Sequence, residues 1–308
     1  MSVVEKAGAN ILKTSFRKKD KKKQGKEKKA QKSLKVAISG PETIALDFER
    51  LARDGFYDAN DRSNQLALEL RAIKRRLLRR IGYLRSSGER QTFRTPGKQR
   101  NLILVTSTRA GEGKTFSAIN LALSLAIEDQ IETLLVDADL LRPKIRERLA
   151  LPETAGLADL IATPSLSADA MGYRLADAPL SIIPEGARIE RPSDLFATKN
   201  AQDVWTDISM ANPGRLVIID APPVLAATDA VVLAKYADEI VFVVEANSTP
   251  EPAAASAIDE LIDINSNISL MLNRCQIGAG GAQYGSYEYY DRSEAKGAPA
   301  AAKPASEG

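Results

Sequence analysis

The spacing of hydrophobic and polar positions changes near residue 100, and each spacing predicts a different kind of structure. Before that point the apolar residues recur at helical intervals, at Leu66, Leu70, Ile73, Leu77, Ile81 and Leu84. Beyond it, six apolar runs alternate with helical stretches such as residues 116–128 and 229–236; the runs are Leu102–Val105, Thr133–Val136, Leu180–Ile183, Leu216–Ile219, Ile240–Val244 and Ile268–Leu272. Such continuously apolar runs are typical of strands covered on both faces, so we predict an α/β fold with a doubly wound, mostly parallel sheet and helices on both faces.

Charge and composition divide the chain into four predicted regions. We expect residues 1–40 to form a disordered Lys-rich arm, and residues 41–98 a helical segment that packs on the following domain or on a partner. Residues 99–276 would form the α/β domain, and residues 277–308 a flexible tail rich in Gly and Tyr, then in Ala and Pro. The polar face of the predicted helix is a basic ridge, which fits either a surface helix or a docking helix; its members are Arg71, Lys74, Arg75, Arg76, Arg79 and Arg80.

The positive charge is concentrated in the arm. Residues 1–35 carry 13 Lys and Arg against 3 Asp and Glu, whereas the rest of the chain holds 30 against 37. The arm can bind an anionic membrane surface or an acidic partner, or it can remain a solvated tail. Its lysine run interleaves no aromatic residues, so no nucleic-acid partner is expected. No stretch reaches the 18 apolar residues that a membrane span needs, and we expect a soluble chain.

The chain lacks several kinds of reactive residue. It has no histidine and one cysteine, Cys275. These counts exclude Ser-His and Cys-His nucleophile pairs, His-containing metal sites and an internal disulfide. A reducing interior is the expected compartment. We expect Cys275 to be a small buried apolar side chain at the end of the last apolar run.

A phosphate-binding loop follows the first apolar run, at Thr106–Thr115, and a predicted helix follows the loop. Its glycines allow successive N–H groups to surround a phosphate, Lys114 can reach the β- and γ-phosphates, and the Thr115 hydroxyl can bind Mg²⁺. Thr108 stands where the common pattern has its first glycine, but the strand–loop–helix context supports the assignment. The predicted nucleotide-binding residues are Arg109, Ala110, Gly111, Glu112, Gly113, Lys114, Thr115 and Phe116.

Three aspartates stand at the ends of apolar runs: Asp137 and Asp139 after one run, and Asp220, followed by Ala-Pro-Pro, after another. Ligands collect at the carboxyl ends of parallel strands, so these side chains can handle Mg²⁺ and position or deprotonate a nucleophile. Any one of them can instead cap a helix, but all three together favour a site for a nucleoside triphosphate with Mg²⁺.

Four of the eight tyrosines fall within seven residues of the Gly-rich tail, at Tyr284, Tyr287, Tyr289 and Tyr290. This composition packs poorly, so we do not expect them in the core. They form either an exposed docking patch or phosphoryl acceptors on a flexible tether.

The ordered set of motifs resembles the bacterial tyrosine kinases of exopolysaccharide and capsule assembly, which have a MinD/ParA-like P-loop fold. Those enzymes share a Walker A loop, a Walker A′ Asp-x-Asp motif, a Walker B aspartate before x-Pro-Pro, and a tyrosine cluster. The matching segments are Thr106–Thr115, Leu134–Asp139, Val217–Pro223 and Tyr284–Tyr290. Pro192–Leu195 and Thr228–Ala230 also look like family signatures, and Leu46–Leu78 looks most like the branch encoded with exosortase systems.

The resemblance implies a tyrosine autokinase with ATPase activity that uses ATP and Mg²⁺. By position, Lys114 would contact the phosphates, while Thr115, Asp139 and Asp220 would hold Mg²⁺. Asp137 would orient or deprotonate the incoming tyrosine hydroxyl, although Asp137 and Asp139 can exchange roles. Asn273 stands where relatives contact the adenine.

The resemblance also implies partners. Subunits would form a ring in which one tail is phosphorylated by its neighbour. A separate membrane-embedded chain-length determinant, or polysaccharide co-polymerase, would hold the cytoplasmic kinase at the inner face of the plasma membrane. Relatives carry Arg where this chain has Leu141, and Glu-x-x-Arg-x-x-Arg where it has Leu68, Arg71 and Lys74.

A non-kinase ATPase switch of the MinD/ParA type remains the alternative. Arg109 occupies the position at which those ATPases carry a signature lysine that reaches across a dimer. The tyrosine cluster and the Ala-Pro-Pro sequence after Asp220 favour the kinase.

Overall fold

A computed structural model describes residues 40–83, 100–212 and 214–275. Most of the Lys-rich arm and all four tail tyrosines, Tyr284, Tyr287, Tyr289 and Tyr290, lie outside these residues. The predictions for those two regions therefore stay predictions.

The described residues form one eight-stranded sheet in the order β1-β4-β5-β3-β6-β2-β7-β8. Every pairing is parallel except that of β4 with β5. All six predicted runs are strands, which confirms the mostly parallel sheet. The strands are β1 (Glu42–Ile44), β2 (Leu102–Ser107), β3 (Thr133–Asp137), β4 (Tyr173–Leu175), β5 (Leu180–Ile183), β6 (Leu216–Asp220), β7 (Glu239–Glu245) and β8 (Ile268–Asn273).

Helices cover both faces of the sheet, as predicted. The helices are α1 (Phe48–Arg53), α2 (Gln65–Arg80), α3 (Lys114–Ile127), α4 (Ile145–Leu149), α5 (Leu157–Ala162), α6 (Pro192–Phe196), α7 (Lys199–Met210), α8 (Asp229–Ala234) and α9 (Glu251–Ile262). One core contains side chains from α1 to α4, and the second core, across the sheet, contains side chains from α5 to α9. Within the described residues, no helix is both long and apolar enough to cross a membrane.

Helix α3 is buried on nearly all sides because it lies between the sheet and α2. Its sequence after the first turn, SAINLALSLAI, is correspondingly apolar around most of the helix. This sandwich fixes the N-terminus of α3 above the carboxyl ends of β3, β6 and β2, where the predicted site lies.

The basic ridge of α2 is only partly exposed, which corrects the sequence prediction. Lys74 is 3% exposed and donates to Glu128 Oε2 at 2.8 Å and to Asp129 Oδ2 at 2.6 Å. Arg71 also pairs with Glu128. Two of the ridge's six cations therefore attach α2 to the end of α3, whereas Arg75, Arg76 and Arg79 are exposed.

The exposure of the edge strand β8 overturns a second prediction, that Cys275 is buried. Leu270 and Leu272 are 66% and 60% exposed, because none of the described residues covers this side of the edge strand. Cys275 follows directly after β8 and is exposed, so the prediction that it is buried was wrong.

Candidate active site

The phosphate-binding loop connects β2 to α3 through two glycines with left-handed backbone conformation, Gly111 at φ 95° and Gly113 at φ 97°. Gly113 is the N-cap residue that directly precedes α3. A Cβ atom at Gly113 would lie 2.0 Å from Asn273 Nδ2, so Asn273 packs directly against the loop and requires glycine there. The amide of Asn273 also donates to the backbone oxygen of Glu112 at 2.9 Å. The geometry thus brings Asn273, predicted to contact adenine, to the phosphate loop.

Glu112 stabilises the loop through its buried side chain. Its Oε2 accepts the backbone N–H of Arg109 at 2.9 Å, and its Oε1 accepts the Thr249 hydroxyl at 2.7 Å. The side chain therefore braces the loop, and Arg109 itself is exposed. Sequence reasoning missed Thr249, because nothing near Thr249 in the chain indicates a partner 137 residues away.

Lys114 is buried among carboxylates at the carboxyl ends of β3 and β6. Its Nζ lies 2.8 Å from Asp139 Oδ2 and 3.6 Å from Asp220 Oδ1. Burial alone would lower the pKa of Lys114, but the charges of Asp220 and Asp139 outweigh that effect and raise it. The lysine is therefore charged, and it is held by groups that a bound phosphate could replace as its partner.

Asp137 is fully buried, and backbone donors occupy both its oxygens. Oδ1 accepts the N–H of Asp139 at 3.2 Å, and Oδ2 accepts those of Lys144 and Ile145 at 3.1 Å and 3.0 Å. Burial, together with the charge of Asp220, raises the pKa of Asp137 well above its usual value. Asp137 thus fixes the start of α4, whereas Asp139 lines the adjacent cavity.

Asp220 has two buried carboxylate oxygens without a hydrogen-bond partner of ordinary length among the described residues. Burial raises its pKa to about 6, although Lys114 and Thr115 offset part of the rise. An unsatisfied buried carboxylate beside a phosphate loop fits a magnesium ligand. The described residues contain no group of three or more His, Cys, Asp or Glu side chains that could hold a metal by themselves. This donor set suits Mg²⁺, which commonly binds one or two carboxylates together with substrate phosphates.

A cavity of about 670 Å³ opens beside this cluster. Its lining includes five predicted nucleotide-binding residues of the loop (Ala110, Gly111, Gly113, Lys114 and Thr115), together with Phe116, Asn273 and Asp139. Sequence reasoning named Leu141 and the Pro-Pro pair only as parts of motifs and did not assign the rest of the wall to the site. That wall comprises Asp54 and Phe56 from the N-terminal segment, Leu141, Arg142, Lys144 and Arg148 around α4, Pro222, Pro223, Ala226 and Ala227 after β6, and Arg274. The cluster of cations after Asp139 was the available signal.

The two additional signature segments meet in the structure. Burial raises the pKa of Asp229, while hydrogen bonds from Ser193 offset part of the rise. This contact joins the start of α6 to the start of α8, close to the segment that follows Walker B.

Comparisons with known proteins agree with this geometry. No protein-family model matches the chain. The tyrosine-protein kinase YwqD of Bacillus subtilis is 29% identical over 198 residues, which cover 64% of this chain and 81% of that protein. The tyrosine-protein kinase wzc of Salmonella typhimurium is 28% identical over 64% of this chain, which spans only 27% of that longer protein.

Solved structures give the same answer. The crystal structure of the VpsO kinase domain is 31% identical, covers 57% of this chain and 86% of that domain, and has a TM-score of 0.53. The BceF tyrosine kinase domain, at 24% identity, covers 75% of this chain and 91% of that domain with a TM-score of 0.56, and it supports the fold alone. A P-loop braced by Glu112, a lysine among strand-end aspartates and these relatives lead to one assignment: the chain belongs to the bacterial tyrosine kinases.

Proposed function

We propose that the chain is an ATP- and Mg²⁺-dependent protein tyrosine autokinase whose acceptors are Tyr284, Tyr287, Tyr289 and Tyr290. The observation that carries the proposal is the buried cluster in which Lys114 lies between Asp139 and the hydrogen-bond-deficient Asp220. This arrangement provides one cation for the phosphates and one carboxylate for Mg²⁺, side by side at the carboxyl ends of the parallel strands.

The proposed reaction transfers the γ-phosphoryl group of ATP to a tyrosine. A bond forms between the phenolic oxygen and the γ-phosphorus, the bond from that phosphorus to the β,γ-bridging oxygen breaks, and ADP leaves. Bound Mg²⁺ would neutralise the charge that develops on the phosphates. Lys114 and the loop N–H groups would hold the phosphates, while Thr115 and Asp220 would hold the metal.

One carboxylate must accept the hydroxyl proton or orient the hydroxyl group. Sequence reasoning assigns this role to Asp137 and allows Asp139 to take it instead. The position of Asp139 on the cavity wall supports the exchanged assignment, because Asp137 is completely buried and does not line the cavity. In this account Asp139 faces the acceptor, and Asp137 positions it by fixing the loop and the start of α4.

The proposed cellular role comes from the resemblance to the bacterial tyrosine kinases of exopolysaccharide assembly. We propose that subunits form a ring, phosphorylate each other's tails, and regulate exopolysaccharide polymerisation or export through a membrane-embedded co-polymerase. Binding of the Lys-rich arm to anionic lipid at the inner face of the membrane, and membership of the exosortase-associated branch, belong to the same proposal.

Replacement of all four tail tyrosines by Phe tests the acceptor assignment. The variant should keep its affinity for ATP, since the tail is not part of the loop, and should lose nearly all phosphotyrosine in an immunoblot after incubation with Mg-ATP. Strong residual phosphotyrosine would show that the main acceptor lies elsewhere.

The ATPase switch remains a second candidate because Arg109 is exposed on the phosphate loop. An arginine at that place is free to reach a second subunit. Arg109→Ala should then abolish ATP-dependent dimerisation in light scattering, an effect the kinase account does not require.

A further inference from the structure

One wall of the cavity carries two exposed arginines, Arg142 and Arg148. Among the described residues, no salt bridge holds the guanidinium group of Arg142 or Arg148, although Arg148 is attracted electrostatically to Glu147, and both side chains are exposed. The other cations of the lining are paired: Lys114 with Asp139, Lys144 with Glu147, and Arg274 with Glu245. We call residues 141–148 the basic wall.

The basic wall is fixed relative to the reacting groups. The N–H of Arg142 donates to Asp139 Oδ1 at 3.1 Å, and the N–H of Lys144 donates to Asp137 Oδ2 at 3.1 Å. At the far end, Arg50 Nη2 donates to the backbone oxygen of Arg148 at 2.8 Å. The backbone that carries the two arginines is therefore anchored at both ends, to the aspartates at one end and to Arg50 at the other.

Apolar surface accompanies these charges. Leu141 is 50% exposed although it is a large apolar residue, and it lines the cavity together with Phe56 and Phe116. The two phenylalanine rings have centroids 5.1 Å apart. A wall that joins apolar surface to exposed guanidinium groups suits an aromatic side chain that is followed or preceded by carboxylates.

We infer that the basic wall selects tyrosine acceptors flanked by carboxylates, with Arg142 and Arg148 as the specificity-determining residues. The inference rests on the proposed kinase function. The tail supplies such a substrate, because Glu288 and Asp291 flank Tyr287, Tyr289 and Tyr290. A triphosphate is the competing ligand for these arginines, but it already has Lys114 and the N–H groups of the loop.

A reaction between two full-length chains tests the inference. The enzyme is the chain with its four tail tyrosines replaced by Phe, and the acceptor is the Lys114→Met chain, which keeps the tail. One acceptor has the natural tail, and a second carries Glu288→Gln and Asp291→Asn. Three forms of the enzyme are compared. The first has no further change, the second carries both Arg142→Gln and Arg148→Gln, and the third carries Arg174→Gln as a control, because Arg174 is exposed on β4 outside the cavity.

The unchanged enzyme should phosphorylate the natural acceptor about tenfold faster than the neutralised one, the effect expected from losing one charge-assisted hydrogen bond. The double Arg→Gln enzyme should lose this preference and keep its affinity for ATP, while Arg174→Gln should behave like the unchanged enzyme. Equal rates on both acceptors would overturn the inference and leave the kinase intact. If the double Arg→Gln enzyme instead phosphorylates both acceptors more slowly by the same factor and binds ATP more weakly, the arginines bind the nucleotide rather than the acceptor. No labelling of either acceptor would contradict the kinase function itself.

Discussion

At the scale of single residues, Asp220 lowers the stability of the nucleotide-free protein but is suited to bind a metal ion. It is completely buried, its carboxylate oxygens have no ordinary hydrogen bond among the described residues, and burial raises its pKa to about 6. A carboxylate in that state destabilises the nucleotide-free protein near neutral pH, since its charge is poorly compensated. Its retention at the end of β6 fits a metal ligand.

Asp220→Asn should therefore stabilise the protein without nucleotide, by about 1–3 kcal/mol at pH 7.5. The amide removes the buried charge, and Lys114 keeps Asp139 as a partner. Urea unfolding measures the change. The same variant should lose the stabilisation that Mg-ATP gives to the natural chain, and a destabilised variant would contradict this interpretation of Asp220.

Binding of Mg-ATP should depend on pH through the same group. The folded-state pKa of about 6 lies above the ordinary aspartate pKa of 3.8, so the folded state retains a proton between these values. The stability contribution of Asp220 thus falls as the pH rises from 3.8 to about 6, while the charged metal ligand forms. Nucleotide affinity in Mg²⁺, measured by calorimetry, should weaken as the pH falls through 6, and Asp220→Asn should flatten that dependence.

Lys114→Met should abolish all ATP-dependent activity, because no other described residue places a cation between Asp139 and Asp220. Lys199→Met, at an exposed position on α7, is the matched control and should retain activity. A coupled assay of ADP release measures the ATP-dependent activity of both variants. Activity that survives in Lys114→Met would exclude the kinase and the ATPase switch together.

The sequence revealed the residues of the site that belong to local motifs. The loop, Asp137, Asp139 and Asp220 are recognisable because each lies at or just after the end of an apolar strand. The bracing contact from Thr249 to Glu112 was not predictable, since it joins segments 137 residues apart. Phe56 reached the cavity wall in the same way, through packing of the N-terminal segment on α3.

At the scale of elements, the attachment of α2 to α3 depends on buried charges. Burial of Glu128 opposes its ionisation, but hydrogen bonds from Lys74 and Arg71 outweigh that effect and lower its pKa. The corresponding stability is fully present above the ordinary glutamate pKa of 4.5 and is lost as the pH falls from there through the lowered pKa of the folded state. The basic ridge predicted from sequence was incomplete because the acids that bind it lie on another helix.

Lys74→Met should cost about 2–4 kcal/mol of unfolding free energy at neutral pH, because Glu128 and Asp129 lose their shared buried cation. Arg75→Met, one residue along and exposed, should change stability by less than about 0.5 kcal/mol. Urea unfolding of both variants gives the comparison. Equal effects would show that the ion pairs do not attach the helix.

The long elements were predictable and the short ones were not. All six apolar runs are strands, because most of them are buried on both faces and leave a clear signal, whereas β8 is apolar although Leu270 and Leu272 are exposed. β1 and β4 have three residues each, Glu-Thr-Ile and Tyr-Arg-Leu, and are too short to show a period. Their pairing depends on the fold that the longer strands establish.

At the scale of the whole molecule, the account joins a structured domain to acceptors outside the described residues. The site lies at the strand edge where β3, β6 and β2 end, and its cavity also uses the segment before residue 83. In the proposed function the domain phosphorylates the tail, so the two belong to one reaction although their motifs are far apart in the chain.

Intact-mass spectrometry after incubation with Mg-ATP tests the central claim most directly, with Lys114→Met as the control and fragmentation to locate the sites. The account predicts a ladder of added phosphates on Tyr284, Tyr287, Tyr289 and Tyr290 that is absent from the control. ATP hydrolysis without any increase in mass, with or without the membrane partner, would contradict the autokinase and favour the ATPase switch.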